Sequence, residues 1–281
     1  MRTIQASQIT QAVTELFTDC SYCIGEDVQS ALEQALRDEP SPQGRNTLDQ
    51  IVTNNRIAAE EQVAICQDTG MSVLFAEVGQ DLHIEGGAFE EAVQQGVRTA
   101  YVQGYLRKSI VTDPLFDRVN TQDNTPAVIH TRIVKGDRLK LTAVAKGFGS
   151  ENMSALKMLV PADGVEGVKR FVVETVEKAG PNPCPPIIVG VGIGGSFEQA
   201  AILAKKGTAL PLDHQNPDPR YARLEQELYD AINATGIGPG GTGGRTTSLK
   251  VHILWAPTHI AGLPVAVNIC CHAARHASTV L

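Results

Sequence analysis

The stretch that decides the fold class is Ile187-Ile188-Val189-Gly190-Val191, then Gly192-Ile193-Gly194-Gly195, then Phe197 to Lys206. A short run of β-branched residues predicts a strand, the glycines predict a turn, and the segment beyond predicts a helix. A strand that feeds a helix through a tight turn is the repeating unit of α/β proteins. Toward the N-terminus, Asp163 to Ala179 is helical and closes at Gly180-Pro181. Ala127 to Val134 and Arg138 to Ala145 are β-rich runs separated by Lys135-Gly136-Asp137, which predicts a hairpin. Ala88 to Lys108 predicts a long helix entered through Gly86-Gly87, and Met71 to Val78 a strand.

The beginning of the chain is helix-rich. Ile4, Ile9, Val13, Leu16 and Phe17 give a helix pattern over Met1 to Phe17. Asp27 to Leu36 carries Val28, Leu32 and Leu36 on one face. Leu48 to Ala59 is a further helix, after a loop Pro40-Ser41-Pro42-Gln43-Gly44. Toward the C-terminus, Arg220 to Ala234 predicts a helix, and Leu249 to Trp255 and Val265 to Ile269 predict strands. The expectation is a mixed α/β fold in a single domain over residues 1–281, helix-rich over roughly the first 60 residues.

The 281 residues are 42% hydrophobic and 20% charged, with a formal net charge of −7. An acidic chain argues against a nucleic-acid or anionic-membrane partner, since both require a basic face. No run approaches the roughly 18 apolar residues that span a bilayer, and no signal-peptide core is visible. The expected location is the cytoplasm, where thiols stay reduced. Six cysteines in such a chain point to metal ligands, catalytic groups or buried fillers rather than disulfides.

Cys66 sits in Ile65-Cys66-Gln67-Asp68-Thr69-Gly70, Cys184 in Pro183-Cys184-Pro185-Pro186, and Cys270-Cys271 before His272. These are loops or strand ends beside glycine, proline or polar residues, whereas a structural cysteine usually sits among apolar neighbours. Cys20-Ser21-Tyr22-Cys23 is the only CxxC. It falls between two helices and has no second ligand pair nearby, so a structural role is expected. Gly190 to Gly195 matches GxGxxG, with Asp213 at a plausible ribose distance, and this motif alone suggests a nicotinamide-dependent oxidoreductase. Gly236 to Thr247 is a second glycine-rich loop. Pro239 and Arg245 break its likeness to a phosphate-binding loop, and so many glycines suggest close backbone approach to another group.

Taken together, the Cys66, Cys184 and Cys271 motifs, the two glycine runs, Val251-His252, Thr258-His259-Ile260-Ala261 and Cys271-His272-Ala273-Ala274-Arg275 resemble the α region of the class I, iron–sulfur fumarate hydratases. The related L-tartrate dehydratases share the pattern. The resemblance implies a [4Fe–4S] cluster with one open iron, held by Cys66, Cys184 and Cys271. This chain also has Cys270 where the family usually has a polar residue, so two adjacent thiols are available there. The resemblance further implies Asp68 as the acid–base residue and Gln67, Arg107, Gly149 and His259 at the substrate, a small dicarboxylate. It implies a separate β subunit for the rest of the active site, a dimer of heterodimers, and a tricarboxylic acid cycle reaction if fumarate is the substrate. L-tartrate dehydration is the second possibility within the class. A non-catalytic zinc or iron–sulfur scaffold is the possibility outside it.

Overall fold

The computed structural model describes residues 2–281. In chain order the strands are β1 (Arg2–Gln5), β2 (Met71–Gly79), β3 (Leu82–Glu85), β4 (Val128–Val134), β5 (Leu139–Lys146), β6 (Ala155–Leu159), β7 (Ile187–Gly194), β8 (Ser248–Ala256), β9 (Leu263–Cys270) and β10 (His276–Val280). The helices are α1 (Ala6–Tyr22), α2 (Glu26–Asp38), α3 (Pro42–Glu61), α4 (Phe89–Gln103), α5 (Phe148–Glu151), α6 (Gly164–Ala179), α7 (Phe197–Gly207) and α8 (Pro219–Ala234). The fold is mixed α/β, as the sequence predicts. It divides into two compact units. One comprises 1–25, 55–148 and 275–281, and the other 26–54 and 149–274. No helix among the described residues is long and apolar enough to cross a membrane.

The first unit is built on the sheet β10-β5-β2-β4, with β1 and β3 pairing in parallel beside it. On α1, Ile9, Val13, Leu16, Phe17 and Cys20 are buried, the spacing that puts one apolar stripe on a helix. α4 crosses α1 very closely, because Gly96 has no Cβ; one would lie 2.7 Å from Val13 Cβ and 2.8 Å from Thr10 O. Thr10 and Thr14 hydroxyls donate to the carbonyls of Ala92 and Gly96 and bind the pair further.

The hairpin expected at 127–145 does not form. β4 and β5 both exist, but β2 lies between them, parallel to β4 and antiparallel to β5. The Lys135-Gly136-Asp137 turn passes over the end of β2, where Gly79 N–H donates to Arg138 O and Asp81 N–H to Gly136 O. A Cβ on Gly79 would sit 2.5 Å from Gly136 O, so the crossing needs glycine there. β2 is mostly buried and takes the central place, while β4 is largely exposed at the edge.

Other boundaries also differ from expectation. Arg2–Gln5 is a strand rather than the start of a helix. Pro42-Gln43-Gly44 opens α3 instead of forming a loop, as the fixed φ of proline suits a first helical turn. α4 stops at Gln103, capped by Gly104, so Arg107 and Lys108 lie in a loop.

The second unit is built on the sheet β6-β9-β7-β8. Every residue of β7 is buried, so both faces of this central strand are covered. Val189, Val191 and Ile193 face the cluster that holds Val172 and Val176 of α6 and Leu228 and Ile232 of α8. Gly190 and Gly192 lie on the other face, against α7. Cβ atoms there would each fall 2.0 Å from a carbonyl oxygen, of Ala204 and Ala200. The expected glycine turn is thus largely strand, and its GxGxxG spacing serves close helix-on-sheet packing. This removes the motif that suggested nicotinamide binding. Gly192→Ala is expected to destabilise the protein by the upper end of about 1–3 kcal/mol, because the clash is with backbone. A urea unfolding curve equal to the wild type would contradict this packing.

Candidate active site

In the first unit the chain 66–70 forms a tightly held loop. Asp68, half-buried, accepts the Gly70 N–H through Oδ1 at 3.0 Å and the Phe148 N–H through Oδ2 at 2.8 Å. Below it, the buried Tyr101 hydroxyl donates to Thr69 O at 2.8 Å, and Asn124 Nδ2 donates to Gly70 O at 3.1 Å. The Thr69 hydroxyl donates to Arg107 O at 2.9 Å. That bond ties the exposed Arg107 to the Asp68 loop although 38 residues separate Thr69 and Arg107. Cys66 is half-buried and Gln67 exposed, with Cys66 Sγ 3.6 Å from Gln67 Oε1. Cys66, Gln67, Asp68 and Arg107 therefore belong to one constellation.

In the second unit Cys184 is exposed in the loop that leads into β7, with a left-handed φ of 52°. Because β9 runs antiparallel to β7, Cys270 pairs opposite Ile188 at that same end of the sheet. His272 N–H donates to Cys184 O at 3.5 Å, a long bond that brings the Cys271–His272 segment to the Cys184 loop. Cys270 is buried within β9, whereas Cys271, just beyond it, is half-buried. Gly149 adjoins the same loop, as its Cβ position lies 3.7 Å from Asn182 O.

The second glycine run has a structural purpose here. Gly240 N–H donates to Pro185 O at 2.8 Å, and a Cβ on Gly241 would lie 2.3 Å from Pro181 Cβ. The close approach expected of these glycines is to the cysteine loop itself. The run is held in turn by Glu39, a fully buried carboxylate that accepts N–H groups of Ser41, Arg245 and Thr246 at 3.0–3.1 Å.

His259 lies elsewhere. It is exposed in the turn after β8, which is fastened to the far end of β7 by the Thr258 hydroxyl donating to Gly195 O at 2.8 Å. The eight residues of β7 separate it from Cys184, so the second unit does not bring these two together.

The six cysteines form no disulfide. Among the described residues no three His, Cys, Asp or Glu side chains converge on a site for a single metal ion. A cluster makes a different demand, since each thiolate binds its own iron. Cys184 and Cys271, accessible thiols on neighbouring segments, fit that demand, and Cys66 is the accessible thiol of the other unit. Cys20 does not fit it. It is 2% exposed on α1, and burial pushes its thiol up to about 12. A raised value keeps it protonated and unreactive at neutral pH. Alkylation of cluster-free protein at pH 8 should therefore label Cys184 well before Cys20. Peptide mass spectrometry showing equal rates would contradict the burial.

Sequence reasoning gave Arg275 and Lys146 no role. Both are buried beside Gly147, at 2% and 1% exposure.

A family model described as "Fumarate hydratase (Fumerase)" matches residues 10–280. A protein of Methanocaldococcus jannaschii named "Putative L(+)-tartrate dehydratase subunit alpha" is 43% identical over 275 residues, which is 96% of this chain and 96% of that one. The L(+)-tartrate dehydratase subunit alpha of Escherichia coli K12 is 33% identical over 273 residues, covering 96% of this chain and 89% of its own. The same protein from Shigella sonnei matches to the same extent. With a family match from residue 10 to residue 280 and relatives aligned along nearly their whole length, the chain belongs to the fumarate hydratase family.

Proposed function

We propose that this chain is the cluster-bearing α subunit of a hydro-lyase, and that its substrate is L-tartrate. The observation that carries the reading is the 43% identity, over 96% of both chains, to a relative named as a tartrate dehydratase α subunit. Fumarate hydration, first in the sequence-based expectation, becomes the second reading. It is supported by the description of the family model. Both reactions break or form one C–O and one adjacent C–H bond on a four-carbon dicarboxylate. From L-tartrate, loss of a proton and a hydroxide gives the enol of oxaloacetate, which then ketonises.

The cluster would be held by Cys66, Cys184 and Cys271 and, when bound, would supply a Lewis acid for the departing hydroxyl. The chain's own residues have other tasks. Asp68 is the candidate to hold or move a proton at the reacting carbons. Two backbone N–H groups fix its carboxylate, so little reorganisation is needed when substrate arrives. Arg107 offers a guanidinium to a substrate carboxylate, and Gln67 a polar contact beside it. Gly149 offers backbone to the substrate next to the cysteine loop. His259, exposed in the turn after β8, is a further candidate contact to the substrate. The remaining groups would come from a β subunit, since the relatives are named as α subunits.

The test is a side-by-side assay of the chain, co-expressed with its β partner, on L-tartrate and on fumarate. A higher kcat/KM for L-tartrate is expected. A preference for fumarate would transfer the assignment to the second reading, and turnover of neither would reject both.

A further inference from the structure

Asn268 interrupts the apolar run of β9. It is 5% exposed, between Val267 and Ile269. Its register partner on β7 is Gly190, where a Cβ would lie 2.0 Å from Ala204 O of α7. Paired residues share a face of the sheet, so Asn268 lies on the face that α7 covers. Lys205, the next residue of α7, reaches the same place. Its ammonium pairs with Oε1 of Glu151, at the end of α5. The other carboxylate oxygen, Oε2, accepts Asn268 Nδ2 at 2.9 Å. α5, α7 and β9 thus meet in one ion pair and one charge-assisted hydrogen bond, with the Lys205 and Glu151 side chains only 17% and 25% exposed.

Ser154 adds to the junction. Its N–H donates to Glu151 O at 3.0 Å, closing the turn after α5. β6 pairs with β9 as far as Ala155, opposite Val267. Beyond that point the Ser154 hydroxyl accepts Asn268 Nδ2 at 3.0 Å and the Ile269 N–H at 3.2 Å. Side chains therefore fasten the turn after α5 to the last residues of β9. Two residues before Glu151 stands Gly149, and three after Asn268 stands Cys271. Stability alone does not call for this arrangement. Asn268 Oδ1 has no partner among the described residues, a costly state for a buried acceptor, and an apolar residue would suit the strand better.

We propose that Lys205, Glu151 and Asn268 are positioning residues, which together fix the Gly149 backbone against the strand end that carries Cys271. This rests on the hydro-lyase reading above, in which Gly149 offers backbone to the substrate and Cys271 holds the cluster. All five residues lie in the second unit. α5 has four residues, too few to hold a helix without outside support, so its orientation comes from what it is tied to. A backbone contact acts best when it is in place before the substrate arrives.

The experiment uses the assembled enzyme and succinate, an unreactive dicarboxylate, titrated by calorimetry, with iron content, unfolding midpoint and KM measured alongside. Glu151→Gln keeps an acceptor for Asn268 but turns an amide NH2 toward the Lys205 ammonium. This variant and Asn268→Ala should each weaken succinate binding about tenfold to a hundredfold and raise KM, with iron per chain at the wild-type level. Adding Lys205→Met to Glu151→Gln removes the facing ammonium and should recover most of the affinity. A purely structural role would lower the unfolding midpoint and leave the folded enzyme's succinate affinity at the wild-type value. That result would overturn the positioning role and leave the hydro-lyase reading intact. An affinity that falls only in step with iron content would overturn it too, as would a double variant that binds no better than Glu151→Gln. If Asn268→Ala fails to fold, Glu151→Gln and the double variant decide the matter. A wild-type enzyme that neither binds succinate nor turns over any four-carbon dicarboxylate would overturn the hydro-lyase reading, and this inference with it.

Discussion

Cys184→Ser is expected to yield a folded protein that retains essentially no iron or sulfide after anaerobic reconstitution. Cys184 is exposed and makes no part of the apolar core, so the exchange of sulfur for oxygen disturbs little packing. Its left-handed φ is borne equally by serine. What changes is the ligand. A hydroxyl is hard and stays protonated near neutral pH, whereas a thiolate is soft and suits iron–sulfur chemistry. Cys66→Ser and Cys271→Ser should behave alike. Cys270→Ser should keep its cluster, because Cys270 is buried in β9 while Cys271 follows it into a more accessible position. Adjacent residues on an extended strand point to opposite sides, so the two thiols do not share one direction. A full complement of iron and sulfide in Cys184→Ser, or its loss in Cys270→Ser alone, would refute the ligand assignment.

The second large effect is expected at Asp68. Asp68→Asn should lower kcat by roughly 10²–10⁴-fold while iron content stays at the wild-type level. Asparagine cannot serve the two N–H groups that Asp68 serves now. One carboxylate oxygen becomes an NH2, which would face either Gly70 N–H or Phe148 N–H, donor against donor. The substitution thus removes the proton-handling group and loosens the loop that carries it. Measured in the assembled enzyme, a fall below tenfold would remove Asp68 from the chemistry.

Much of the fold was legible because it is written in local patterns. β7, α6, α7 and α8 each follow from an apolar run or a helical period with a glycine or proline at its end. The errors arose where long-range pairing decides. Lys135-Gly136-Asp137 does join two antiparallel strands, but no local signal reveals that β2 inserts between them. β1, β3, β6 and β10 have four or five residues each and are largely half-exposed, so they lack an apolar run to announce them. The GxGxxG spacing misled for a related reason. Glycines that permit a turn and glycines that admit a helix against a strand look alike in one dimension, and only the contacts of Gly190 and Gly192 with α7 tell them apart.

The site divides in the same way. The cysteine motifs and Asp68 stand out by composition and resemblance, and the fold gives them supporting hydrogen bonds. The burial of Arg275 and Lys146 leaves no mark in sequence, since long cationic side chains are usually solvated. Their depth appears only when β10 is paired with β5 and the end of β5 is packed against Gly70 of the Asp68 loop.

In the proposed function this chain holds the cluster but only part of the active site. Its most direct test is L-tartrate dehydration and fumarate–malate interconversion by the isolated chain, reconstituted anaerobically, before and after addition of the β partner. The expected result is a brown, iron- and sulfide-containing chain that turns over neither substrate alone and gains activity with the partner. Turnover by the isolated chain at the roughly 1–1,000 per second of ordinary enzymes would contradict it.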